Sequence, residues 1–172
     1  MKNLKFSKAK TVAKGEILLK HGEITKYGYF VKSGCLKSYT IDKAGKEHII
    51  QFAPEDWMIS DLDSYTNQTP TVLFIEAIEE SEVLVISRSD FKDFEDMDRE
   101  FVNQTAIKFR NNLIASNKRI IALLSASSKE RYIDFIETYP TLVNRLPLKL
   151  IASYIGVTPE YLSEIRRKIV TK

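Results

Sequence analysis

The clearest functional pattern in the sequence lies between Ile151 and Ile169. Ala152 is followed by Gly156 four residues on, Leu162 six after that and Ile165 three further. A small side chain at 152 lets a following helix cross closely, and Gly156 can take the left-handed conformation that ends a helix. Val157 would plug the corner. Thr158 is a strong N-cap and Pro159 suits a first helical turn, so a second helix should start there with Leu162, Ile165 and Ile169 on its buried side. The spacing predicts a helix-turn-helix. Its outer face carries Glu160, Ser163, Glu164 and Arg167, which would meet a DNA major groove. A carboxylate at 160 can accept a hydrogen bond from a cytosine amino group. Glu164, one turn along, would repel phosphates unless Arg167 screens it or it accepts from a second cytosine. Arg166, Arg167, Lys168 and Lys149 would supply attraction that does not depend on base sequence.

Elsewhere the sequence is poor in reactive groups. Cys35 is the only cysteine, which excludes an intrachain disulfide and a cluster held by several thiolates. His21 and His48 are too few for most protein-only zinc sites, although one could pair with a carboxylate or with Cys35. No catalytic group, metal centre or cofactor is therefore expected, and the protein is not expected to be an enzyme.

Charge along the chain shows which elements could position the candidate helix. The net charge of +3 hides a strong asymmetry. Residues 1–46 hold eleven lysines against Glu16, Glu23 and Asp42, whereas residues 47–87 hold nine acids and neither Lys nor Arg. Residues 141–172 carry six bases against Glu160 and Glu164, which suits an element that approaches phosphates.

Between Lys10 and Ser87, short β-type runs at Glu16–Lys20, Tyr27–Lys32, Cys35–Ile41, Glu47–Phe52, Val72–Ile78 and Val83–Ile86 alternate with turns at Gly15, Gly22, Gly34 and Gly45. This predicts an antiparallel barrel or roll. A short helix capped by Ser89 and carrying Phe91 and Phe94 should follow. From about Asp98 to Ala126 neither Pro nor Gly interrupts the chain, which permits one long helix. Ala106, Leu113 and Ile120 recur every seven residues, as do Ile107, Ile114 and Ile121, and Leu124 extends the stripe. Such a repeat, with Arg110 and Asn117 between its large members, predicts a parallel helix pair and hence a homodimer. Ser127 to Glu130 forms a capping box for a further helix ending near Tyr139 and Pro140, and another should run from Pro147 to Ile155.

The expected fold class is α+β, divided into a β-roll sensor unit (1–96), a dimerisation helix (97–126) and a helix-turn-helix unit (127–172). No apolar run approaches the roughly 18 residues needed to span a bilayer. Met1 to Lys10 lacks the apolar core of a signal peptide. No membrane association is expected, and the location should be cytoplasmic.

In this order, the Gly-Glu turns at Gly15-Glu16 and Gly22-Glu23, Gly34 opening a strand, Ser127 to Arg131, and Ile151 to Arg167 make the chain resemble the Crp/Fnr family of bacterial transcription regulators. The resemblance covers nearly the whole sequence. It implies a jelly-roll-type, cyclic-nucleotide-binding-domain-like roll, binding to double-stranded DNA as a homodimer, a small-molecule effector and contact with RNA polymerase. It places the effector cassette at Ser60, Asp61, Leu62, Thr71 and Val72. Relatives that bind cyclic nucleotides carry an Arg for the phosphate, where this chain has Thr71. The residues agree independently, because a buried phosphate needs a cation or close backbone N–H groups and this stretch has no Lys, Arg or Gly. Relatives also read bases with Glu-x-x-Ser-Arg, which here is Glu160, Ser163 and Glu164. The family's usual amino-terminal helix and carboxyl-terminal wing have no counterpart in the 172 residues. The effector is thus expected to be unlike cyclic AMP, and neutral or cationic if there is one. The alternatives are a roll that holds a nucleotide or other anion with Lys from residues 1–46, and a cupin-like metal protein using His21, His48 and an acid.

Overall fold

The computed structural model describes residues 8–87 and 99–170. Among these residues, eight strands form two four-stranded antiparallel sheets. They are β1 (Lys8–Val12), β2 (Ile17–Leu19), β3 (Tyr27–Ser33), β4 (Leu36–Ile41), β5 (Glu47–Ala53), β6 (Met58–Ile59), β7 (Phe74–Ala77) and β8 (Ser81–Ser87). One sheet has the order β1-β8-β3-β6 and the other β2-β7-β4-β5. The residues that alternate inward from the two sheets, among them Val12, Val31, Leu36, Ile59, Ile75 and Val83, make a buried core between them.

The observed strands overlap the predicted runs, with several ends moved. The run at Glu16–Lys20 shortens to three residues and that at Val72–Ile78 to four, while β8 begins earlier, at Ser81. Three elements are additional: β1 as a full strand, β6, and a short helix α1 (Leu62–Asn67). Helix α1 breaks no rule of local chemistry, since Asp61 caps it by accepting from the N–H groups of Asp63 and Ser64. Its length of barely two turns gives no periodic signal. The helix predicted after Ser89, with Phe91 and Phe94, lies outside the described residues.

Gly34 shows how tightly one turn is built. Its φ is +86°, and a Cβ there would stand 2.6 Å from the Glu80 carbonyl oxygen and 2.8 Å from Ser81 Cα. Both obstacles are backbone. Gly34→Ala is therefore expected to cost about 2–4 kcal/mol, combining left-handed strain with a clash that only a strand shift relieves. Urea denaturation would measure it, and an unchanged midpoint would show that the turn yields.

Among the described residues four further helices follow: α2 (Arg99–Ser125), α3 (Ser128–Thr138), α4 (Leu148–Ile155) and α5 (Pro159–Val170). The capping box forms as the spacing predicts. Glu130 N donates to Ser127 Oγ at 3.3 Å, and Ser127 N donates to the Glu130 carboxylate at 2.7 Å. These bonds hold the Glu130 carboxyl below its usual range.

The roll and the carboxyl-terminal helices share a second apolar core. Cys35, Tyr39, Ile49, Phe52 and Ile78 of the roll are buried in one cluster with Tyr132, Phe135, Tyr139, Leu142, Ile151, Tyr154 and Leu162. Phe52 lies 5.2 Å from Tyr154 and 6.2 Å from Phe135, between ring centroids. Each such aromatic pair contributes about 0.5–1.5 kcal/mol beyond its buried area.

Candidate nucleic-acid interface, helix stripe and roll cavity

The corner between α4 and α5 has the geometry its residues predict. Gly156 is left-handed at φ 72° and ψ 42°, and Val157 N donates to Ala152 O at 2.9 Å, closing the end of α4. Thr158 Oγ1 accepts from Tyr161 N at 3.2 Å and so caps α5. Ala152 and Leu162 are fully buried, Ile165 is buried, and Val157 and Ile169 pack partly against the same core. The other face of α5 is open: Thr158, Pro159, Glu160, Ser163, Glu164, Arg166, Arg167 and Lys168 are all exposed, as is Lys149 on α4. Ser163 Oγ donates to Pro159 O at 2.9 Å, which turns its hydroxyl toward its own helix. Tyr161, which the motif did not single out, is 47% exposed. Helical spacing sets it beside Glu164 and Lys168, the signal from which it could have been found.

Helix α2 carries a row of large apolar side chains on its surface. Leu113, Ile120, Ile121 and Leu124 are 55–83% exposed, while Ile107 and Ile114 are each 47% exposed. Ala106 and Asn117 are exposed on the same stripe. A run of this length is unusual on a surface without a partner.

The five cassette residues are not gathered around one opening. Thr71, buried, donates its hydroxyl to the Asp61 carboxylate, and its Oγ1 accepts from Leu73 N at 2.9 Å. Asp61 is itself buried and committed to capping α1. The place where a ligand anion would be sought is thus closed by a side-chain pair, with an anion of the protein already in it. Val72 is 61% exposed. Only Ser60 and Leu62 of the five line a cavity of about 580 Å³, which lies between the roll, α1 and the first part of α2.

His48 Nε2 pairs with the Asp42 carboxylate at 2.7 Å and holds it below its usual range, whereas His21 stacks on Phe74. The two histidines are thus engaged separately. Among the described residues, no three His, Cys, Asp or Glu side chains converge as metal ligands. Cys35 is buried, and desolvation pushes its thiol up to about 12. No described helix is long and apolar enough to cross a membrane.

Polar contacts join the units. Arg145, just before α4, pairs with Glu55 at 2.8 Å and with Glu79, both on the roll. Its guanidinium holds the Glu55 carboxyl below the usual range, so this contribution is present above the unfolded carboxylate pKa and fades as pH falls through the lowered value. Ser153 on α4 accepts from Ile49 N at 3.1 Å and donates to Glu47 O at 3.0 Å.

A sheet roll followed by a long helix and an exposed helix-turn-helix defines a class of two-part DNA-associated regulators. The family model for the cyclic nucleotide-binding domain matches residues 9–98. The chain belongs to that family and, within it, to the Crp/Fnr transcription regulators. It is 28% identical over 175 residues to the fumarate and nitrate reduction regulatory protein of Vibrio cholerae serotype O1, covering 93% of this chain and 68% of that protein. It is 31% identical over 135 residues to the protein of the same name from Yersinia pestis, covering 76% and 52%. The chain thus spans about two thirds of the length of the first of these relatives and about half of the second. FixK2 from Bradyrhizobium japonicum superposes with a TM-score of 0.75 at 21% identity, over 96% of this chain and 85% of that one. A Crp/Fnr-family transcriptional regulator of Thermus thermophilus does so with 0.72 at 14%, over 95% and 86%.

Proposed function

We propose that the protein is a homodimeric, sequence-specific regulator that binds double-stranded DNA through α5, with no catalytic activity and a cytoplasmic location. Contact with RNA polymerase belongs to the same reading, as the family resemblance implies. The observation that carries it is the polar, basic outer face of α5, left exposed by a corner whose buried residues are all spent on packing. The stripe on α2 supports pairing of two chains, which would present two such helices to successive major grooves. Cyclic AMP and cyclic GMP are not the effector in this reading: the cassette holds Asp61 and Thr71 bonded to each other, in a stretch, residues 47–87, that has neither Lys nor Arg. Lys from residues 1–46 is a poor substitute, since the buried Lys37 is already paired with Glu47 and Glu76.

A salt-series anisotropy assay on a selected palindromic site, with half-sites about one helical turn apart, tests the DNA reading. The affinity should fall steeply with salt as phosphate counterions are released. Glu160→Ala is expected to lose discrimination at one base pair per half-site, worth about 1–3 kcal/mol. Arg167→Ala should weaken all sequences more evenly, and Glu164→Arg should raise non-specific affinity. Unchanged site preference in Glu160→Ala would remove that residue from base reading. Absence of any salt-sensitive binding would reject the assignment of α5.

A further inference from the structure

We propose that the roll takes a neutral, largely apolar small molecule in the cavity between β3, β6, α1 and the first part of α2, with the Thr105 hydroxyl as its polar anchor. This rests on the regulator reading and names the class of its effector.

Three independent features of the cavity point the same way. Its volume of about 580 Å³ lies within the range of small-molecule sites, and Met58, Ile59, Ile86, Phe109 and Leu113 give it an apolar wall. Among the described residues none that lines it is charged. An anion or cation placed there would lose its water without gaining a counter-charge, whereas a neutral body loses little.

The second feature is Gly28, the second residue of β3. Its φ is not in the left-handed region, and a Cβ built on it would meet only Ser60 Cβ, at an ordinary 3.8 Å. No backbone constraint therefore calls for glycine. Glycine in a strand weakens it and otherwise marks a close approach by something else. Here the missing side chain adds its space to the cavity.

The third feature is Thr105, which lines the cavity from α2 and is 7% exposed. Its hydroxyl has no hydrogen-bond partner among the described residues. Three polar side chains of the same wall are committed: Gln51 and Asn112 both donate to Met58 O at 3.1 Å, and Ser60 donates to Tyr27 O. A buried hydroxyl without a partner destabilises the free protein until something supplies one. A ligand bearing one hydroxyl or carbonyl oxygen does so. Because Leu113 belongs both to this wall and to the apolar stripe, filling the cavity acts directly on the helix proposed to join two chains.

The test uses the full chain and the neutral fluorophore Nile red. Saturable fluorescence enhancement is expected, reversed by 1-decanol but not by the same concentration of decanoate above neutral pH or of cyclic AMP. Gly28→Leu should lower Nile red affinity by about tenfold or more with an unchanged circular dichroism spectrum, as loss of a ligand-sized space requires. Gly28→Ala adds one methyl at ordinary contact distance, so it keeps the test open if the leucine variant does not fold, and it should bind the probe less tightly than wild type. Thr105→Val should raise the Tm of the free protein and weaken competition by decanol. Equal displacement by decanoate or cyclic AMP, or wild-type probe binding by the Gly28 variants, overturns the proposal. DNA binding is measured on the same preparations. Probe binding without DNA binding would sink the regulator reading alone, and DNA binding without probe binding would sink the cavity assignment alone.

Discussion

Ile114→Lys combined with Ile121→Lys is expected to turn a dimer into a monomer and to lower affinity for a palindromic operator by about 100-fold or more. In one chain these isoleucines are 47% and 63% exposed on a helix that carries four more exposed Ile and Leu side chains in the same stripe. Pairing two such helices would bury each large side chain further, at about 1–2 kcal/mol apiece for the surface gained. Four ammonium groups in that seam would oppose it by several kcal/mol. Asn117 is the polar position that would fix the register, so Asn117→Leu should change the oligomeric state more than the stability. Light scattering after size exclusion measures the mass directly. A wild-type protein already monomeric at micromolar concentration would mean that the stripe has another purpose, and the DNA reading would lose its two-fold geometry.

Arg119→Ala is expected to destabilise the protein by about 3–5 kcal/mol, because the carbonyls this side chain serves would be left partly unpaired. From α2 its guanidinium donates to Ile49 O at 2.7 Å and to Ile50 O at 2.5 Å, both on β5, and to Tyr154 O at 2.9 Å. It also lies 4.0 Å from the centroid of the Tyr154 ring. Tyr154 stands in the last turn of α4, whose final carbonyls have no partner within the helix. Arg131 serves the next one, donating to Ile155 O at 2.7 Å. One side chain thus fastens the long helix to the roll and to the helix that precedes α5. Arg119→Lys should recover less than half of the loss, since a point charge cannot address three carbonyls in a plane. Urea denaturation would show a lower midpoint in the alanine variant. An unchanged midpoint would show that the shared aromatic core alone holds the units together.

Much of the protein is legible in the sequence because the signals are local. Gly156, Thr158 and Pro159 determine a corner through the backbone angles and hydrogen bonds of their own neighbours, and Ser127 with Glu130 does the same for the start of α3. The stripe on α2 follows from helical period alone. Closely spaced glycine turns between β-type runs were enough for an antiparallel roll, although not for the ends of its strands, which depend on pairing partners far along the chain.

What non-adjacent residues do together follows from how the elements pack. Asp61 and Thr71 each look like candidates for a ligand, yet their side chains satisfy one another and close the cassette. Gly28 is an ordinary strand glycine until β6 and α2 are in place, when the side chain it lacks becomes part of a cavity. Phe52 and Tyr154 are 102 positions apart and belong to units that composition separates, but they meet in one core. Burial, pairing and empty space depend on distances in three dimensions. Local propensity and spacing carry information only about a residue's own turn or strand, so they determine the elements and leave the contacts between elements to the fold.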